Sequence, residues 1–176
     1  ALLAAGLRAW LTHRENLALL RRSRAEALTD GLTGLANRRR LMLDLYLPPN
    51  RDPAIALPGV IAVRGGAWRE GDKEFFGYIA GQLAMQGFVT ASIQYRTAKE
   101  AKFPAAVHDV KAAVRWMRAH AGEYGVDPDA IGAIGGSAGA HLVAMLATTG
   151  GMKELEGNGG NPSVSRATRR MMKTPS

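Results

Sequence analysis

The 176-residue sequence contains no cysteine, and only 6% of its residues are aromatic. The absence of cysteine excludes disulfide bonds and thiolate metal ligands. The four histidines lie far apart in the sequence and do not have the spacing of a zinc motif. We therefore expect no metal site and no cofactor. With 47% apolar residues, the chain can form one globular body with a sizeable core.

Long apolar runs are also missing. No stretch approaches the roughly 20 consecutive apolar residues that a membrane-spanning helix needs. The opening run Ala1–Leu7 is short, and no basic segment precedes it, so the sequence predicts neither a signal peptide nor a membrane partner. As written, the chain is expected in the cytoplasm. The compartment of a parent protein stays open, because the first residue is not methionine.

The net charge of +8 is concentrated at the two ends of the chain. Residues 1–40 carry +5, residues 41–150 carry 0 and residues 151–176 carry +3. The neutral central body argues against nucleic acid as a partner. Binding through the clusters Arg21–Arg24 and Arg38–Arg40 is a competing hypothesis that predicts salt-dependent affinity, but no aromatic residues alternate with these arginines.

The apolar pattern of the central body predicts an α/β fold. Strands are predicted at 41–47, 59–64, 88–95 and 131–134. Helical spacing predicts two intervening helices, at 75–85 and 104–121. Strands that alternate with helices form a mostly parallel sheet with helices on both faces, because the crossover connections are right-handed.

A glycine-rich stretch, Gly135-Gly136-Ser137-Ala138-Gly139, follows the last predicted strand and precedes an apolar helix. Glycines two residues either side of the serine remove the Cβ atoms that would collide where strand turns into helix. The serine would be exposed beside the positive end of a helix, where a developing oxyanion is stabilised. This geometry is typical of a nucleophile elbow with Ser137 at its apex, although the five residues alone do not distinguish it from a common glycine-rich turn. The alternative is a serine that caps the helix after a buried strand.

Residues 41–150 resemble the α/β-hydrolase fold, in the esterase and lipase branch related to acetyl xylan and feruloyl esterases. The resemblance is carried by the elbow and by Val63–Trp68, Phe103–Trp116 and Tyr124–Asp129. It implies a partial α/β-hydrolase, preceded by an N-terminal amphipathic helix. The implied strand order in the sheet is 41–47, 88–95, 59–64 and 131–134.

The resemblance also implies a function, hydrolysis of a small-molecule or carbohydrate-linked carboxylic ester. Ser137 would attack the ester, and the amides of Gly65, Gly66 and Ala138 would form the oxyanion hole. In the family the catalytic acid and histidine follow the elbow on later strands, and this sequence ends before either. We therefore predict an incomplete triad with weak or no activity.

Other histidines are poor substitutes for the missing base. His13 lies in the N-terminal segment, and His108 and His120 fall on the second predicted helix. His141 follows Ser137 by one helical turn, so its side chain is expected alongside the serine and not over it. We do not expect a working dyad.

Two residues depart from the family's pattern. Arg64 stands where the family has histidine before the glycine pair, and Gln94 stands where an aspartate usually precedes Tyr-Arg. Each exchange is interpreted as neutral, at a surface loop. Together they indicate either relaxed constraint on the site or a chain that no longer performs catalysis.

The N-terminal segment, residues 1–40, differs from the body. Apolar residues recur at helical spacing from Leu7 to Leu28 and predict an amphipathic helix. The following stretch Asp30–Arg39 resembles the opening of GGDEF (diguanylate cyclase) domains, but the signature that carries cyclase chemistry is absent, so no cyclase activity is expected. A fusion of two families is predicted, and the alternative function is a helix-mediated signalling or interaction fragment.

The C-terminal segment, residues 151–176, is rich in Gly, Ser and Arg and is predicted to be a disordered tail. Without strands beyond 131–134, that predicted strand would form the edge of the sheet. An apolar edge strand is a template for association with another chain. Self-association through this edge or through the N-terminal helix is therefore predicted.

Overall fold

The computed structural model describes residues 42–49 and 51–157. Its strands are β1 (Met42–Tyr46), β2 (Leu57–Val63), β3 (Val89–Gln94) and β4 (Val126–Gly135). Its helices are α1 (Gly77–Met85), α2 (Ala105–Ala119), α3 (Ala121–Tyr124), α4 (Ala138–Thr148) and α5 (Lys153–Glu156), and a 3-10 turn, Lys73–Phe76, leads into α1. None of these described helices has the length and apolarity needed to cross a bilayer. The predicted N-terminal helix and the GGDEF-like stretch lie outside the described residues.

The four strands form one sheet in the order β1-β3-β2-β4, which confirms the order implied by the family resemblance. Strand β2 is parallel to both of its neighbours, β3 and β4, whereas β1 is antiparallel to β3. The chain passes from β2 to β3 through α1, and from β3 to β4 through α2 and α3. Parallel strands require such crossover connections. The prediction of a mostly parallel sheet is confirmed.

Alternate residues of the strands point to opposite faces of the sheet, and both faces are covered. On β2, Ile61 and Val63 enter the larger core, which α2 and α4 close with residues such as Val110 and Leu142. Ala62, between them in sequence, enters a smaller core with residues of α1. Helices on both faces are thus confirmed.

Strand β4 begins earlier than its predicted start at residue 131. Leu57 pairs with Val126, but Gly59 pairs with Ile131, so the register between β2 and β4 shifts between Pro58 and Gly59. Residues 128–130, between the partners of Pro58 and Gly59, form a bulge inside β4. A bulge of this kind bends the strand and lets pairing resume beyond it.

Residues 151–157 differ from the predicted disordered tail, because they form a turn and helix α5. The fully buried Lys111 side chain of α2 donates hydrogen bonds from Nζ to the Thr149 carbonyl (2.8 Å) and to Glu156 Oε1 (2.7 Å). Arg115 Nη1 donates to the Glu156 carbonyl (2.8 Å). Lys111 and Arg115 lie 38 to 45 residues in sequence from the groups they bind. The composition of the C-terminal segment alone could not reveal these contacts. Residues 158–176 of the predicted tail lie outside the described residues.

Candidate active site

Ser137 lies exposed at the turn between β4 and α4. Its backbone has φ 51° and ψ −118°, a conformation that residues with a Cβ rarely adopt. Strain of this kind is retained chiefly at functional sites. Ser137 occupies the N-cap position of α4, but its side chain makes no capping hydrogen bond to the helix.

The glycines on either side of the serine are required by close backbone packing. A Cβ on Gly135 would lie 2.4 Å from the carbonyl carbon of Gly139. A Cβ on Gly139 would lie 2.1 Å from the carbonyl oxygen of Val63, in β2. The obstacles are backbone atoms that cannot rotate away. The first turn of α4 is therefore pressed against the end of β2, and this contact holds Ser137 out of the turn.

The loop that follows β2 lies against this elbow. A Cβ on Gly65 would lie 3.5 Å from the Ser137 Cβ, so Gly65 and the serine are close neighbours. The next three residues, Gly66, Ala67 and Trp68, all have positive φ, at 112°, 48° and 60°. Within the described part of the chain, the N–H groups of Gly65 and Gly66 donate no backbone hydrogen bond in the loop. Two amides without a backbone acceptor among the described residues therefore lie in the loop beside the elbow.

Ala138 is the first residue of α4, and its N–H has no acceptor within the helix, as is general for the first turn. Ala138 adjoins Ser137 in the chain and Gly66 adjoins Gly65. The structure thus brings the four residues that the sequence singled out to the ends of two adjacent parallel strands.

Arg64, which precedes the glycine pair, is completely buried, so its interpretation as a neutral exchange at a surface loop is wrong. Its Nη1 atom donates hydrogen bonds to the carbonyls of Gly65 (2.9 Å) and Glu70. Its Nε atom donates to Gln94 Oε1 (3.1 Å). The guanidinium carbon lies 4.2 Å from the centre of the Tyr95 ring. The loop is folded around the arginine side chain.

Gln94, the second departure from the family's pattern, belongs to the same network. Besides the bond from Arg64, its Oε1 accepts a hydrogen bond from the Lys73 amide (3.0 Å), and its Nε2 donates to the Gly71 carbonyl (3.4 Å). The two exchanges therefore contact each other. The Arg64 and Gln94 side chains thus share one hydrogen-bond network, in which Arg64 is buried and Gln94 is half-buried.

Two further side chains near the loop were missed by sequence reasoning. Tyr95 Oη donates to the Gly65 carbonyl (3.2 Å), and burial raises the pKa of Tyr95 although the charge of Arg64 opposes this. Arg96 forms hydrogen bonds with both carboxylate oxygens of Asp109, the shortest of 2.7 Å, and these bonds raise the pKa of Arg96. Their position was the available signal in the sequence: Tyr95 and Arg96 directly follow β3, and the ends of the parallel strands lie beside the site.

The rings of the three described histidines each contact a group other than the Ser137 hydroxyl. His108 Nε2 lies 2.9 Å from the Glu154 carbonyl, and His120 Nδ1 lies 2.8 Å from the Trp116 carbonyl. The His141 ring packs edge-on against Trp68, with ring centres 5.3 Å apart. None of these three rings forms a hydrogen bond with the Ser137 hydroxyl in the described part of the chain.

A largely parallel sheet covered on both faces, with a strained serine between strand and helix and a glycine loop beside it, defines a partial α/β-hydrolase fold. The chain belongs to the BD-FAE family, whose model matches residues 43–173.

Curated relatives include two proteins of Mycobacterium tuberculosis. The probable carboxylic ester hydrolase LipM is 38% identical over 108 residues, which is 61% of this chain and 25% of that protein. The esterase LipQ is 38% identical over 110 residues, covering 62% of this chain and 26% of that protein.

A similar fold is found in the butyrate-bound esterase Est2 of Thermogutta terrifontis. The two are 32% identical with a TM-score of 0.66, over 74% of this chain and 48% of that one. The chain thus spans about a quarter of the length of the two curated relatives and about half of the solved structure.

Proposed function

We propose that this chain carries the nucleophile and oxyanion hole of a serine carboxylic-ester hydrolase. The observation that carries the proposal is the positive φ of Ser137 at a strand-to-helix turn packed against a loop with two amides that have no backbone acceptor among the described residues. A serine held clear of the backbone can attack an ester carbonyl, and amides beside it can stabilise the negative charge that develops on the carbonyl oxygen.

In this proposal the oxyanion is bound by the amides of Gly65, Gly66 and Ala138. Gly65 is a close neighbour of the serine, and the Ala138 amide lies at the positive end of α4. The substrate class is a small-molecule ester, and a carbohydrate-linked ester is the finer proposal. The names of the relatives support this class, because LipM and LipQ are described as an ester hydrolase and an esterase.

None of the three described histidine rings forms a hydrogen bond with the Ser137 hydroxyl, so no base is held against the serine among the described residues. A serine hydroxyl without a base is a weak nucleophile. We therefore expect the chain as printed to hydrolyse activated esters slowly or not at all.

The test is hydrolysis of p-nitrophenyl butyrate by the full chain and by Ser137→Ala, with His141→Ala as the matched comparison. We expect slow turnover that Ser137→Ala reduces to background and His141→Ala leaves within twofold. Turnover that persists in Ser137→Ala refutes the proposal. Rapid turnover that both variants abolish would show that His141 serves as the base.

We also propose that the chain associates with itself through the edge of the sheet. Strand β4 has a strand partner on one side only in the described part of the chain, and 39% of the Ile134 surface is exposed there. Light scattering on the chain and on Ile134→Lys tests this, because a charge on an edge strand opposes pairing. A monomer at all concentrations contradicts it.

Residues 1–40 are proposed to form a separate GGDEF-like helical segment, supported by the Asp30–Arg39 sequence alone. If this segment dimerises, association through the helix is the second route. Size-exclusion chromatography of the full chain and of a chain that begins at residue 41 separates the two routes. Loss of association on deletion assigns it to the helix.

A further inference from the structure

Arg64 carries a positive charge into the interior beside the site. The residue has no exposed surface, and its described hydrogen-bond acceptors are all uncharged oxygens: Gln94 Oε1 and the carbonyls of Gly65, Glu70 and Tyr95. Among the described ion pairs, none involves this arginine. A buried charge is costly unless it is hydrogen-bonded or paired. Arg64 has hydrogen-bond acceptors but no acidic partner among the described residues. Its positive charge would therefore stabilise an anion formed nearby.

The Gly65 carbonyl accepts two hydrogen bonds, from Arg64 Nη1 (2.9 Å) and from Tyr95 Oη (3.2 Å). This carbonyl belongs to the same peptide unit as the N–H of Gly66. In a planar trans peptide the C=O and the N–H point in opposite directions, and the single cis peptide among the described residues lies elsewhere. Fixing the Gly65 carbonyl therefore also fixes the direction of the Gly66 N–H, which points away from Arg64.

We propose that Arg64 and Tyr95 are positioning residues that aim the Gly66 N–H at the oxyanion formed on Ser137. A donor that carries a full charge also polarises the peptide it binds, which makes the opposite N–H a stronger donor. Gln94 holds the arginine through Nε without cancelling its charge, because a carboxamide is neutral. The effect would be an oxyanion hole whose strength depends on a residue that never contacts the substrate. This inference rests on the proposed role of Ser137.

A boronic acid tests this without requiring turnover. The Ser137 oxygen bonds to the boron of n-butylboronic acid and releases its proton to solvent, leaving a tetrahedral boronate anion with an oxygen in the hole. Boron-11 NMR distinguishes tetrahedral from trigonal boron and gives the dissociation constant. The variants are Arg64→Met, which removes charge and donors, Tyr95→Phe, which removes one donor, and Arg69→Met, a control at an exposed arginine of the same loop. Ser137→Ala checks that the adduct forms on the serine.

We expect Arg64→Met to weaken the adduct by at least about tenfold and Tyr95→Phe by about threefold, while Arg69→Met stays within twofold of the parent chain. A merely structural role would lower the melting temperature and leave the affinity of the folded protein unchanged. Equal affinity for the parent chain and folded Arg64→Met therefore overturns this inference alone. No adduct with the parent chain, or an adduct that survives Ser137→Ala, overturns the proposed function and this inference with it.

Discussion

The two turns that form the site are built in different ways. At the elbow, backbone packs against backbone: Gly139 of α4 leaves no room for a Cβ beside the Val63 carbonyl. In the loop after β2, the backbone instead wraps around one side chain, because the Arg64 guanidinium binds the Gly65 and Glu70 carbonyls from inside.

The difference determines what each turn tolerates. An elbow packed on backbone atoms admits only glycine at its contact points, so its pattern is easy to recognise in a sequence. A loop built around a side chain can accept another residue at the centre if a neighbour changes with it. Gln94 is such a neighbour of Arg64, because the two side chains are hydrogen-bonded to each other.

The largest effect should come from Gly139→Ala. The new Cβ would meet the Val63 and Arg64 carbonyl oxygens at 2.1 and 2.5 Å, and neither can move without displacing the end of β2. We expect a loss of roughly 3 kcal/mol or more in the free energy of unfolding, measured by urea denaturation. Gly132→Ala is the control in the adjoining strand, because a Cβ there meets no atom within 4 Å. Similar losses for the two variants would mean that the elbow is not backbone-packed.

Gly71→Ala should cost less, because the loop packs on a side chain that can shift. The residue has φ 99°, and its new Cβ would lie 2.9 Å from Arg64 Nη1. We expect a loss of about 1 to 2 kcal/mol, mostly from the backbone conformation. Gly87→Ala, at φ 92° with nothing within 4 Å, isolates that backbone cost. Urea denaturation gives the loss in free energy of unfolding for each variant, and the difference between the two losses measures the cost of displacing the Arg64 side chain. A difference above about 3 kcal/mol would contradict this prediction and show that the loop is rigid.

Ser137→Gly should stabilise the chain, since glycine adopts a positive φ without strain. We expect it to be more stable than Ser137→Ala by about 1 kcal/mol, because both variants lose the hydroxyl but only alanine keeps the backbone strain. Both variants remove the proposed nucleophile, so neither should hydrolyse esters. Thermal and urea unfolding measure the comparison. If Ser137→Ala proves the more stable, φ at this residue is not strained.

Tyr95→Phe should have the smallest effect, and one that depends on pH. Loss of the hydrogen bond to Gly65 should cost about 1 kcal/mol near pH 7. Burial raises the pKa of Tyr95 in the folded protein above the ordinary tyrosine value of 10.0. As the pH rises, the unfolded chain therefore loses the tyrosine proton before the folded chain does. The parent chain then loses stability as the pH rises above 10. Phenylalanine does not titrate, so Tyr95→Phe lacks this loss. The difference in free energy of unfolding between the parent chain and Tyr95→Phe should therefore narrow above pH 10. Urea unfolding at pH 7, 9 and 11 measures it, and a constant gap would contradict the assignment.

The sequence alone determined much of the body. Apolar runs and helical spacing indicated the strands and helices, and the Gly-x-Ser-x-Gly pattern indicated the elbow, because these signals are local consequences of backbone geometry. The order of the strands followed from the family resemblance and is confirmed. The roles of Gly65, Gly66, Ala138 and Ser137 stay proposals.

Tertiary structure alone decided three features. The bulge between β2 and β4 depends on the register of two strands far apart in sequence. The order of residues 151–157 depends on Lys111, and the burial of Arg64 depends on Gln94, 30 residues away. A charged residue in a glycine loop gives no local sign of whether it faces solvent or the interior, because its burial is set by hydrogen-bond partners that only folding brings to it.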